Sequence, residues 1–366
     1  MIHFICSTPL QILTSIVLTT SELKKENVIL YVVNYFKDAE IYVSRIASLK
    51  IFGDVKFLKV KKVYDRVKGA DKNTISRGLW QAYYYVGFER VLRKLDISVN
   101  KGDKVFLSYL EPICLMLIKH NKKYDLGLHF YGFEDGIGAY VLPLDRQEGK
   151  GEHIFCPEPY YKKEMYWVYR PEFIIEPNSY KRRVHKISFN LDKTLVSYFD
   201  KIWDIGNTID NLPKTIFFDD LISKKTLKLI MDTIAEAGLE DIYVKLHPRQ
   251  TDSSVYEKYN YKFLQPQAIP FECFLLKHEI GDNVLISIFS SAVVNSVYMF
   301  DQRPLIIFLY KVIDDSEYNT QVDFDLQVNN LRKIYSDEKK IYVPGSMEEF
   351  YLILKRIANG EIEEQY

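Results

Sequence analysis

Four short stretches carry residue types that can do chemistry. "FEDG" (133–136) sets two carboxylates, Glu134 and Asp135, against Gly136. "KLHP" (245–248) sets Lys245 and His247 ahead of Pro248. "FSSA" (289–292) pairs Ser290 with Ser291, and "STPLQ" (7–11) places Thr8 and Gln11 around a proline. Adjacent carboxylates at a strand end point different ways, so one can be held by the protein while the other faces a ligand. Their mutual repulsion raises the pKa of one of them, which suits a general base. A histidine titrates near about 6.5 when unperturbed and higher beside an anion, where it becomes a proton donor. Pro248 fixes its own φ and holds His247 extended. Two serines opening a helix add hydroxyls to its unpaired N–H groups and positive dipole, a fit for phosphate. Each stretch also has a plain structural alternative: a solvated acidic turn, a hydrogen-bonded strand-end histidine, an ordinary serine cap.

Other chemistries find little support. There is no GxxxxGK[ST] loop, no GxGxxG, no HExxH and no EF-hand loop. The pairs Asp219-Asp220 and Asp314-Asp315 read as loop charges and form no DxD. No metal site is expected. Cys6, Cys114, Cys156 and Cys273 are scattered without CxxC spacing, which reads as reduced thiols, not as a zinc site or disulfide frame.

The four stretches fall where strands end. "IHFIC" is a short apolar run, followed by a helix with Thr8 as N-cap and Pro9 at its first position. "NVILYVV" (27–33), "VKFLKV" (55–60), "DKVFLSY" (103–109) and "LGLHFY" (126–131) read as strands, with helices at 80–95 and from Pro112 to Lys119. From about 145 to 195 the pattern breaks into Gly, Pro, charge and aromatics, read as an irregular connection. Strands resume at "KTIFF" (214–218), "DIYVKL" (241–246), "NVLISIF" (283–289) and "PLIIFLY" (304–310), interleaved with helices at 223–237 and 292–300. A final helix starts at Ser346, with Glu349 three residues on as a capping box. Strand–helix alternation predicts parallel sheets covered on both faces, and in such sheets ligands bind at the carboxyl ends of the strands.

The 366 residues suffice for two domains. The expectation is α/β: two Rossmann-like domains facing a central cleft, at 1–185 and 186–345, and a C-terminal helix (346–366) packing back on the first. Charge is balanced, with 49 Lys+Arg against 49 Asp+Glu, which gives no electrostatic reason for a nucleic-acid partner. Tyrosine is abundant, at 28 residues; its flat ring and hydroxyl suit sugar faces, though compositional bias gives the same count.

An acidic-acidic-Gly motif in the first half, then HP, then a serine pair resembles the bacterial sialyltransferases of GT-B type. Glycosyltransferase family 52, the lipooligosaccharide and capsule sialyltransferases, is the nearest resemblance. The polysialyltransferases and family 80 enzymes share the three motifs, and "ICSTPLQIL" looks like the opening of family 52 chains. The resemblance implies an inverting transfer from CMP-sialic acid to a hydroxyl of a terminal sugar such as galactose, with no cofactor and no metal. Asp135 would be the base, with Glu134 as the alternative, and His247 would protonate the departing CMP phosphate. Ser290 and Ser291 would bind that phosphate, with Lys245 and Pro248 beside the nucleotide. "IPFECFL" (269–275) resembles the segment supplying a ribose-binding carboxylate, here Glu272, which by its position also reads as a helix N-terminal acid. Thr8, Gln11 and Gly136 would face the same cleft as substrate-binding residues.

Two other readings compete. One is a GT-B transferase using a UDP-sugar or CDP-glycerol; the other is a non-catalytic carbohydrate-binding protein on the same fold. The N-terminus lacks a basic signal-peptide region and no apolar run reaches membrane-spanning length, which predicts a cytoplasmic protein. Peripheral association with a membrane, for which "YKRRVHK" (180–186) is the basic candidate, and pairing of two copies stay open.

Overall fold

A computed structural model describes residues 1–36, 38–60, 86–108, 112–141, 163–174, 183–247, 250, 252–267, 269–313, 324–335 and 338–361. Pro248, Cys156, Asp314 and Asp315 lie outside these residues. The chain divides into two compact units, Met1–Trp203 and Asp204–Tyr366.

Among the described residues the first unit holds seven strands: β1 (Ile2–Cys6), β2 (Val28–Val33), β3 (Asp54–Leu58), β4 (Lys104–Leu107), β5 (His129–Phe133), β6 (Met165–Val168) and β7 (Val184–Lys186). They form one sheet in the order β3-β2-β1-β4-β5-β6-β7. Every pairing is parallel. β1 is buried along its whole length, as an apolar strand of a sheet covered on both faces must be. Phe4, Phe106 and Tyr131 stand in register on β1, β4 and β5, and their rings stack at 4.5 and 5.0 Å. The helix Pro9–Thr20 starts as its sequence predicts, with the Thr8 hydroxyl accepting the Gln11 N–H and Pro9 in the first turn.

The region expected to be an irregular connection contributes structure to this unit. β6 and β7 extend the sheet, and the amphipathic helix Lys193–Trp203 buries Phe199, Ile202 and Trp203. That helix lies on the helix Ala39–Ser48: the Trp203 and Tyr42 rings are 6.2 Å apart, and Arg45 donates to the Ile202 carbonyl at 2.7 Å. These contacts carry the unit on to Trp203, beyond the boundary expected at 185. Of the basic stretch 180–186, Val184–Lys186 form edge strand β7, and residues 180–182 lie outside the described residues.

The second unit holds β8 (Thr215–Phe218), β9 (Ile242–Lys245), β10 (Lys262–Phe263), β11 (Val284–Ser287), β12 (Leu305–Phe308) and β13 (Ile341–Tyr342). Their order is β10-β9-β8-β11-β12-β13, again with all pairings parallel. The helix Lys224–Ala237 runs from its Ser223 cap to Gly238, whose φ of 76° closes it in the left-handed conformation. The final helix Met347–Ala358 starts at the predicted Ser346 cap, which accepts the Glu349 N–H; Glu349 reaches back one residue further than a capping box and accepts the Gly345 N–H at 2.7 Å. Its buried stripe of Phe350, Ile353 and Leu354 joins Leu227, Ile230, Met231 and Ile234 in one core cluster. The tail helix therefore packs on 224–237 of its own unit, because that is where its apolar stripe finds cover.

In both sheets the strand order reverses beside the first strand, between β1 and β4 and between β8 and β11. Connections leave in opposite directions there and open a crevice at the strands' carboxyl ends.

Candidate active site

In the first unit, Ser7 and Thr8 follow β1, and Glu134 and Asp135 follow β5. Glu134 continues the ladder, its N–H donating to the Trp167 carbonyl at 2.9 Å, and its side chain is wholly buried. One carboxylate oxygen of Glu134 accepts both the Tyr140 hydroxyl and, at 2.7 Å, the Tyr169 N–H. The Tyr140 hydroxyl also accepts the Arg170 N–H at 3.1 Å. Asp135 is half-buried and accepts the Gln11 amide at 3.2 Å. Gln11 in turn accepts the Ser7 N–H at 2.5 Å. Gly136 takes a φ of 117°, a conformation that L side chains resist, and turns the chain just after Asp135. The structure thus brings Thr8, Gln11, Asp135 and Gly136 together and turns Glu134 into the core.

In the second unit, Asp219 follows β8, His247 follows β9, and Ser290 lies three residues past β11. Ser290 caps the helix Ser291–Tyr298, accepting the Ala292 N–H at 3.3 Å, while its own N–H donates to the buried Ser287 hydroxyl at 2.9 Å. The ordinary capping role is therefore real, and the N-terminus it sets is half-buried at Ser290, Ser291 and Ala292. His247 is half-buried; its N–H points at Asp219 at 3.5 Å and its carbonyl accepts the Gln250 N–H at 2.8 Å.

Asp219 is not the loop charge its sequence context predicts. It is 4% exposed and accepts the Tyr256 hydroxyl at 2.5 Å. Burial raises its carboxyl above the ordinary value, against the pull of the Tyr256, His247 and Gln250 hydrogen bonds. Its N–H continues the sheet ladder to the Lys245 carbonyl at 3.0 Å, so Asp219 ties the end of β8 to the stretch that carries His247. The signal was available: Asp219 sits at the carboxyl end of a strand like the four stretches singled out.

Lys245 and Glu272 are both buried. Lys245 donates to the Gln267 carbonyl at 2.7 Å, and burial pushes its ammonium down to about 8 although the Glu272 charge raises it. Glu272 stands in the first turn of the short helix Phe271–Phe274 and accepts the Asn295 amide at 2.7 Å; burial raises its carboxyl. Sequence reasoning missed Asn295, whose only mark is its polarity on an apolar helix face. Cys6, Cys114 and Cys273 are buried.

The chemistry available is a carboxylate with an orienting donor in one unit and, in the other, a helix N-terminus with serine hydroxyls after β11 and a histidine after β9, two strands that flank β8. A cavity of about 1240 Å³, lined by Lys214, Lys340, Arg332 and Arg356 among others, lies at the amino ends of β8, β11, β12 and β13 and contains none of these residues. Among the described residues, no three His, Cys, Asp or Glu side chains are grouped to hold a metal ion. No helix among them is long and apolar enough to cross a membrane.

The model of the alpha-2,8-polysialyltransferase (POLYST) family matches residues 2–308. No curated protein sequence matches the chain. Among solved structures, the alpha/beta-galactoside alpha-2,3-sialyltransferase from the luminous marine bacterium Photobacterium phosphoreum is similar at 13% identity and TM-score 0.51, covering 93% of this chain and 98% of that one. UGT2 of Phytolacca americana, complexed with UDP-2fluoro-glucose and pterostilbene, is similar at 10% identity and TM-score 0.51, covering 98% and 90%. Two parallel-sheet α/β units with these likenesses are the GT-B glycosyltransferase fold.

Proposed function

The chain belongs to the alpha-2,8-polysialyltransferase family, and we propose that it is an inverting, metal-independent sialyltransferase that uses CMP-sialic acid. The observation that carries this reading is the acidic pair. Glu134 is locked by Tyr140 and Tyr169, while Asp135 stays half-buried with an amide donating to it. One carboxylate builds the site and the other works in it.

The acceptor hydroxyl gives its proton to Asp135 as its oxygen attacks the anomeric carbon. The bond from that carbon to the CMP oxygen breaks on the opposite face, so configuration inverts. Ser290, Ser291 and the N–H groups of their helix take up the phosphate charge, and His247 delivers a proton to it. General-base assistance contributes roughly 10²–10⁴-fold, and fixed donors at the departing anion contribute a comparable or larger share. Excluding water protects the donor from hydrolysis. Lys245, Pro248 and Glu272 serve the nucleotide side in this reading, and Thr8 and Gly136 the sugar side.

The acceptor is the terminal sugar of a surface glycan of the lipooligosaccharide or capsule type made by family 52 enzymes, with galactose as the accepting residue. The family's description favours a second acceptor, sialic acid itself in an α2,8 linkage. The protein acts in the cytoplasm or at the inner face of the cell membrane, where the nucleotide sugar and lipid-linked glycans meet.

The test presents CMP-sialic acid, a UDP-sugar and CDP-glycerol with galactose-ended and sialic-acid-ended acceptors. Release of CMP with a product one sialic acid heavier supports the reading, and the acceptor consumed decides between the two linkages. Turnover of a UDP-sugar or CDP-glycerol alone overturns it. No turnover of any donor, with glycan binding retained, leaves the carbohydrate-binding alternative.

A further inference from the structure

Gln11 stands in the first turn of the helix Pro9–Thr20 and is 1% exposed. Both ends of its side-chain amide are engaged. Oε1 accepts the Ser7 N–H at 2.5 Å, and Nε2 donates to Oδ2 of Asp135 at 3.2 Å across 124 positions of chain. A backbone N–H can only donate, so the Ser7 contact fixes which end of the amide is oxygen. What faces Asp135 is then necessarily an N–H donor. The amide is anchored by the main chain that leaves β1, and the helix start beside it is fixed by the Thr8 cap. The donor is therefore in place before any ligand arrives.

A donor held this way fixes a carboxylate's rotamer and favours its ionised form. We propose that Gln11 is a positioning residue for Asp135: its amide pins the carboxylate in the orientation from which it takes the acceptor's proton. This rests on the sialyltransferase reading and replaces the expectation that Gln11 binds substrate.

Q11E separates this role from a structural one. Glutamate keeps the shape, and one of its oxygens still accepts the Ser7 N–H, but the group facing Asp135 is no longer an amide donor. If Gln11 only shapes the turn after β1, Q11E loses stability through its buried carboxylate, but the folded enzyme keeps the wild-type kcat. If it positions Asp135, kcat for sialyl transfer falls on the order of 10²-fold while KM for CMP-sialic acid stays within about twofold. Added to D135N, Q11E then costs nothing more, because both changes act through one carboxylate. A Q11E enzyme with wild-type kcat, or one that lowers D135N by the full factor again, overturns the proposal.

A second measurement does not depend on the substrate being right. The Asp135 carboxyl, followed by carbon-13 NMR titration of the full chain, titrates at higher pH in Q11M, which removes the donor without adding a charge, than in wild type. An unchanged titration refutes the proposal. A shifted titration in a protein that never turns over CMP-sialic acid supports it and locates the failure in the functional reading.

Discussion

Glu134 and Asp135 are neighbours in the chain with opposite surroundings: Glu134 is wholly buried under Tyr140 and Tyr169, and Asp135 is half-buried with the Gln11 amide donating to it. Conservative substitutions should therefore split into two kinds of loss. D135N keeps the shape and removes the base, so kcat for transfer drops about 10²–10⁴-fold with the melting temperature nearly unchanged. E134Q replaces a carboxylate that holds three elements together. It costs roughly 1–3 kcal/mol of stability, while kcat of the molecules that remain folded falls far less than in D135N. Thermal melts and initial rates on the same two preparations check this. Equal rates for D135N and wild type would remove Asp135 from the reaction.

Gly136 gives a second separation. At φ 117° any side chain is strained, so G136A costs roughly 1–3 kcal/mol. Because the strain falls on the turn carrying Asp135, the variant should also lose kcat at temperatures where it is fully folded. A G136A protein with wild-type melting temperature and rate would mean the turn relaxes without consequence.

These two residues mark how far the sequence could be read. Helix ends were legible where the signal is local: the starts at Thr8 with Pro9 and at Ser346 with Glu349, and the stop at Gly238. The helix Ala39–Ser48 has no such signal, since Asp38 before it sits at φ 64° and makes no side-chain cap. β6 and β7 are four and three residues long, too short to display a period. Strand ends pointed to the right loops, because parallel sheets expose their carboxyl ends. Which carboxylate of a pair is buried was not legible. For Glu134 it is decided by Tyr169, and for Asp219 by Tyr256, partners 35 and 37 positions away that only the fold brings close.

The second of those pairings makes a prediction about the HP turn. D219N keeps an oxygen to accept the Tyr256 hydroxyl but introduces an amide where an acceptor faced the His247 N–H. D219A empties both contacts. If Asp219 holds the His247 turn in place for the phosphate, kcat falls in both variants, on the order of 10-fold for D219N and more for D219A. Y256F follows D219N in direction, because it frees the same carboxylate from its closest partner. The companion measurement is CMP affinity by calorimetry. It weakens in D219A if the turn contributes to phosphate binding, and unchanged affinity together with unchanged kcat would reduce Asp219 to a core residue.

Lys245 and Glu272 predict a pH dependence of stability with two arms of opposite sign. Burial is the largest influence on each, lowering Lys245 to about 8 and raising Glu272 from 4.5. In the unfolded chain both return to ordinary values, near about 4.3 for Glu and about 10.4 for Lys. From the unfolded carboxyl value up to the raised native one, the folded protein binds the extra proton, so stability falls as pH rises. From about 8 up to the unfolded lysine value, the unfolded chain binds the extra proton, so stability rises with pH. The two groups together place a trough between the raised Glu272 value and about 8, with the alkaline arm on the order of 3 kcal/mol. Urea unfolding of wild type and of K245M/E272Q across this range measures it, because the double variant removes both groups and should flatten the difference. A gap between the two proteins that is constant from pH 5 to pH 10 would mean that neither group changes its proton affinity on folding.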